Sequence, residues 1–112
     1  IFDNGRFRNY SRILEVDPST DEIVWEYTGE PKESFYSNAR GSIQELPSGN
    51  ILVTESARGR IFELTRSGDI IWEYLTPVKD GKRSSIYRSK RYTFKELKDY
   101  NLPKEVKERY DL

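Results

Sequence analysis

The chain has 112 residues, 19 Lys/Arg against 19 Asp/Glu, and 34% charged residues beside 35% hydrophobic ones. That bounds it to one small domain or part of a larger one, and its eight Tyr, five Phe and two Trp argue for a packed interior rather than a disordered chain. No Cys and no His occur, which excludes disulfides, thiolate metal sites, and the commonest general base and metal ligand.

In chain order, residues 1–3 read as the end of a strand closed by Asn4-Gly5, a strong turn pair. Residues 6–10 form a polar connection. Residues 11–17 and 22–28 then form a hairpin around Asp17-Pro18, where Pro18 presets φ for the turn. Residues 29–38, with Pro31, Phe35 and Tyr36, make a loop long enough to cross to a second sheet. Residues 41–46 and 51–55 are strands on either side of Pro47-Ser48-Gly49-Asn50, and residues 56–59 turn the chain again.

Residues 60–74, RIFELTRSGDIIWEY, then repeat residues 12–27, RILEVDPSTDEIVWEY. Arg12, Ile13 and Glu15 match Arg60, Ile61 and Glu63 at a spacing of 48; one extra residue in the first turn brings Trp25, Glu26 and Tyr27 onto Trp72, Glu73 and Tyr74 at 47. In both copies the apolar residues alternate with period two, which is a strand signal, so each copy is a hairpin. A repeat of this length built from strands is that of a propeller blade. Residues 40–75 are expected to form one four-stranded antiparallel sheet, with 41–46 innermost, 69–74 outermost, and no helix anywhere in 11–75. Trp25 and Trp72 are expected at equivalent positions, each largely buried between sheets.

After Pro77 the repeat stops. Residues 78–83 read as a loop and 84–92 as one more strand. Thr93 with Glu96 forms a capping box for a helix over 93–100, and Pro103 opens a second short helix. Residues 1–78 carry 8 basic and 13 acidic side chains, whereas 79–112 carry 11 and 6, a basic tail on an acidic body. A nucleic-acid site on Lys79, Lys82, Arg83, Arg88, Lys90 and Arg91 is set aside, because phosphate binders extend positive charge over a whole face. No apolar run is long enough for a membrane helix.

The fold class expected is therefore all-β: a β-propeller fragment of about two four-stranded blades with a short helical C-terminal tail. Residues 1–39 supply the last three strands of one blade plus a crossover, 40–77 one complete blade, and 78–112 a ring-closing strand and the tail. Two blades cannot close a ring, which needs about 4–8. The expected partners are missing N-terminal blades or further copies of the chain, and Ile1 in place of Met favours the former.

FDNG followed by YSRILEVDPSTDEIVWEY, then GSIQELPSGNILVTES, GRIFELTRSGDIIWEY and YRSKRY, resembles the arylsulfotransferase propeller family over residues 1–92. The resemblance implies six blades, work outside the cytoplasm, and transfer of a sulfuryl group between phenolic esters and phenols through a transient sulfohistidine, with no cofactor or metal. Members often carry a His-Asp pair on the inner strand; here Gly41 and Ser42 stand in that place, so the nucleophile is expected upstream and this stretch alone is expected to be inactive. Resemblance and topology suggest Asn4, Arg12, Arg40, Gln44 and Arg88 as substrate-binding residues, since sulfate oxygens call for cations and neutral donors. Against this, Asn4 also reads as a turn residue, and Arg12, recurring as Arg60, as a structural strand residue. The alternative function is a non-catalytic propeller scaffold of the same descent, or a short chain that oligomerises into a ring.

Overall fold

The computed structural model describes residues 1–111; Leu112, the last residue of the expected 78–112 tail, lies outside the described residues. The chain is all-β with a small helical tail. One antiparallel sheet has the order β1 (Phe2–Asp3), β2 (Arg12–Asp17), β3 (Glu22–Tyr27). A second has the order β4 (Ser42–Glu45), β5 (Ile51–Glu55), β6 (Arg60–Leu64), β7 (Ile70–Leu75), as the alternation and turn signals required. The expectation of no helix in 11–75 needs a correction: two three-residue 3₁₀ turns, Lys32–Ser34 and Ser56–Arg58, round off connections between strands.

The two hairpins share one register. Ile13 pairs with Tyr27 and Glu15 with Trp25; Ile61 pairs with Tyr74 and Glu63 with Trp72. A bulge follows Glu15 in one hairpin and Glu63 in the other.

The two sheets meet face to face. Ile13 of the first sheet packs with Ile51, Val53, Phe62 and Leu64 of the second, and Phe2, Trp25 and Tyr27 close over them. Phe35, from the crossover between the sheets, is 1% exposed at the centre. Its ring meets Phe2 and Phe62 edge-on at 5.5 and 5.6 Å, and lies 5.6 Å from Tyr27. Such edge-to-face contacts add to what area burial alone supplies.

The two tryptophans do occupy equivalent positions, but not equivalent surroundings. Trp25 is half-buried in the seam and donates to the Arg66 carbonyl at 3.0 Å. Trp72 lies on the far face of the second sheet and is 45% exposed, because no third sheet of this chain covers it.

The tail departs from expectation in two places. Residues 78–83 form a small hairpin, β8 (Val78–Lys79) and β9 (Lys82–Arg83), around Asp80 and Gly81 at φ 53 and 76. Two successive left-handed residues make the tight hairpin turn that Asp-Gly favours. Residues 84–92 form no strand within the chain. They cross the far face of the second sheet as an irregular strap, whose Ile86 N–H reaches the Ser56 carbonyl at 3.0 Å and whose Ser89 hydroxyl pairs with Thr54 at 2.5 Å. β5 is consequently buried on both faces along its whole length. The helices α1 (Phe94–Lys98) and α2 (Lys104–Arg109) follow. Thr93 Oγ1 accepts from Glu96 N–H at 3.1 Å, the capping contact read from the sequence.

Replacing Phe35 by Ala should cost about 3–5 kcal/mol, the range for a large buried aromatic, whereas Trp72→Ala should cost about half as much, in proportion to the apolar area it buries. Denaturant midpoints of the two variants check the order; equal losses would place Trp72 in a covered seam.

Candidate functional site

β4 pairs only with β5, so its other edge is free of strand partners among the described residues. Beside it the strap forms a cleft of about 380 Å³ lined by Ser42, Ile43, Gln44, Arg88, Ser89 and Lys90. Arg88 and Lys90 are exposed cations on the rim. The Ser42 hydroxyl is buried without a hydrogen-bond partner among the described residues. Two cations and a hydroxyl suit an oxyanion, the guanidinium fork most of all. The polar side chains that line the cleft are hydroxyls, an amide and two cations, groups that can hold an oxyanion.

Gln44 and Arg88 share this cleft. Gln44 spends its amide on the strap: its Nε2 donates to the Arg91 carbonyl at 3.0 Å and its Oε1 accepts from Arg91 N–H at 2.8 Å, as a neighbouring strand's backbone would. Arg40, at φ 62, lies over the Tyr87 ring of the strap at 5.6 Å. Asn4 Nδ2 donates to the carbonyls of Arg40 at 2.5 Å and Ser37 at 2.8 Å, tying the first turn to the crossover. Arg12 stands apart, spent on Asp3 at 2.6 Å and near Glu26 at 3.9 Å. Burial pushes the Asp3 carboxyl up, but hydrogen bonds from Arg12, Arg8 and the Gly5 N–H outweigh it and hold Asp3 below its ordinary value.

Gly41 lies at the start of this strand with φ +147, and a Cβ there would come within 2.5 Å of the Phe2 ring. A side chain such as histidine has no room at position 41.

A second charged cluster has no counterpart in the sequence reading. Glu55 is 0% exposed, accepts from Tyr36 N–H at 2.6 Å and faces Arg60 at 3.5 Å and Arg58 at 3.8 Å. Burial pushes its carboxyl up; the Tyr36 hydrogen bond and the two arginines oppose this without cancelling it. Arg60 also bonds Glu73 at 2.9 Å and stacks on Phe62 at 4.4 Å. The cleft beside it, about 700 Å³, is lined by Lys82 and Arg83 as well. The signal for it was in the repeat: Asp3 faces Arg12 across β1 and β2 as Glu55 faces Arg60 across β5 and β6.

Among the described residues no cluster of His, Cys, Asp or Glu is placed to hold a metal, and no helix is long and apolar enough to cross a membrane. A family model described as "Arylsulfotransferase (ASST)" matches residues 1–76, which span both large sheets and the seam between them. No curated protein and no solved structure matches the chain.

The raised carboxyl of Glu55 fixes the sign of a pH effect. Its contribution to stability is full below the unfolded pKa and is lost as pH rises through the folded one. As pH rises from about 4, through the ordinary carboxylate range and above it, the wild-type chain should therefore lose stability relative to Glu55→Gln, measured by paired denaturant titrations. Glu55→Ala leaves the Tyr36 N–H unpaired and should cost about 1–3 kcal/mol near neutral pH.

Proposed function

Because the chain belongs to the arylsulfotransferase (ASST) family, we propose that it supplies two neighbouring blades of a six-bladed propeller that moves a sulfuryl group from a phenolic ester to a phenol. The family match across both sheets carries this reading. In it, residues 1–39 complete one blade and cross over, 40–77 form the next, and 78–112 close the ring. The free edge of β4 lines the central channel. The remaining blades are upstream sequence.

The reaction breaks the S–O bond of the donor ester and forms an S–N bond to a channel histidine on another blade, and the phenolate leaves with the histidine's proton; an acceptor phenol oxygen then attacks the sulfur, the S–N bond breaks, and the phenol's proton returns to the histidine. In this blade, Arg88, assisted by Lys90 and the Ser42 hydroxyl, contacts sulfuryl oxygens. Gln44 and Arg40 hold the strap that carries Arg88, Asn4 holds Arg40 in turn, and Arg12 braces the first sheet. The glycine at position 41 favours a second reading, a propeller of the same descent that binds without catalysing.

A longer protein that carries this chain should transfer sulfate from p-nitrophenyl sulfate to a phenol, and Arg88→Ala should lower kcat/KM by about a hundredfold, as loss of one oxyanion donor does. The 112-residue chain alone should transfer none. Transfer by the isolated chain would refute the placement of the histidine elsewhere, and an inactive longer protein that binds aryl sulfates would favour the scaffold.

A further inference from the structure

The seam between the two sheets is fastened at its rim by one arginine. Arg66, from the turn between β6 and β7, reaches across to the first sheet, where its guanidinium pairs with Glu15 and lies over the Trp25 ring at 5.0 Å. Glu15 and Trp25 are cross-strand partners. Their repeat equivalents on the far face of the second sheet are Glu63 and Trp72, also cross-strand partners. There Arg91, from the strap, pairs with Glu63 and lies over the Trp72 ring at 5.2 Å. The same three side-chain types meet in the same arrangement, once between two sheets and once between a sheet and a strap.

We propose that residues 84–92 are a built-in strap that holds the far face of the second sheet, with Arg91 as its latch on Glu63 and Trp72. The strap has further holds along its length. Ile86 bonds the Ser56 carbonyl, Ser89 bonds Thr54, and the Arg91 backbone bonds Gln44. Asn50 Nδ2 donates to Glu63 at 2.9 Å from the opposite side, fixing the carboxylate for the guanidinium.

A second copy of the chain does not fit this seat through its first sheet. The turn equivalent to that of Arg66 runs Asp17-Pro18-Ser19-Thr20-Asp21, without an arginine and with two carboxylates. Docked on the face, it would bring Asp17 and Asp21 towards Glu63, a like-charge contact that rejects such a partner. The strap's own Arg91 is the occupant that the charges favour. This inference rests on the contacts between sheets and holds whether or not the protein transfers sulfate.

Hydrogen exchange by mass spectrometry on the full 112-residue chain tests it. Arg91→Ala removes one partly exposed ion pair and one cation–π contact, together a change of about tenfold in a local opening equilibrium. Exchange over residues 84–92 and β5, reported by the Ile86 amide, should rise by about that factor, with β2 and β3 unchanged. The charge reversal Glu63→Arg with Arg91→Glu should restore the ion-pair share of the protection but not the contact on Trp72. Should Arg91→Ala unfold the chain, Arg91→Lys keeps the charge but loses the fork and should give a smaller rise confined to the same segments. Unchanged exchange in Arg91→Ala, a rise spread equally over both sheets in Arg91→Lys, or failure of the charge reversal to rescue would overturn the proposal.

Discussion

Everything else in the molecule depends on Phe35. It belongs to neither sheet, yet its ring is the piece around which both are packed, edge-on to Phe2 from the first and to Phe62 from the second. Each sheet has an apolar face that the other covers, and burying those faces stabilises both. The crossover therefore does more than connect. It carries the central side chain of the seam, and its backbone is fixed there by Ser11 N–H on the Phe35 carbonyl at 2.9 Å and by the Tyr36 N–H on the buried Glu55. The carboxylate that costs most to bury is thus placed where it holds the segment that contributes most to the core.

The strands were legible because two independent signals agreed on them. Alternation gave the faces, and Gly, Pro, Asn and Asp gave the ends. The repeat added register: Glu15 opposite Trp25 predicts Glu63 opposite Trp72, and the structure has both. The Asp80-Gly81 hairpin was written in the sequence too, but its strands are two residues long, too short to alternate. The strap was not legible as it lies. Its composition reads as a strand, and its hold comes from side chains, Gln44, Thr54 and Glu63, whose partners are 28 to 47 residues away. No local pattern records a contact of that kind.

The candidate residues divide along the same line. Gln44 and Arg88 come together because β4 and the strap run side by side, while Arg40 meets the strap over the Tyr87 ring and Asn4 joins only through backbone carbonyls. Arg12 is explained by the residue across the ladder, Asp3. Ser42 and Lys90, which sequence reasoning did not single out as substrate ligands, share the cleft because the strap turns there; nothing about a serine or a lysine in sequence marks it as facing a cavity. Glu55 escaped notice for the opposite reason, since a glutamate at the end of an apolar strand looks like the first solvent-facing residue after the core.

The paired bulges have a consequence for how such a chain can change length. In each hairpin the bulge gives the outer strand one residue more than its partner, and that residue, Val24 or Ile71, is 58% or 57% exposed. The phase of the ladder is set on the seam side of the bulge, by Glu15 with Trp25 and by Glu63 with Trp72. The turn beyond is decoupled from it, and this is why the first copy holds one more turn residue than the second without rotating its tryptophan out of the seam. Growth or loss of a residue at the turn tip leaves the register below the bulge in place, while the turn keeps its own hold on the neighbouring sheet wherever, as at Arg66, it carries a side chain across.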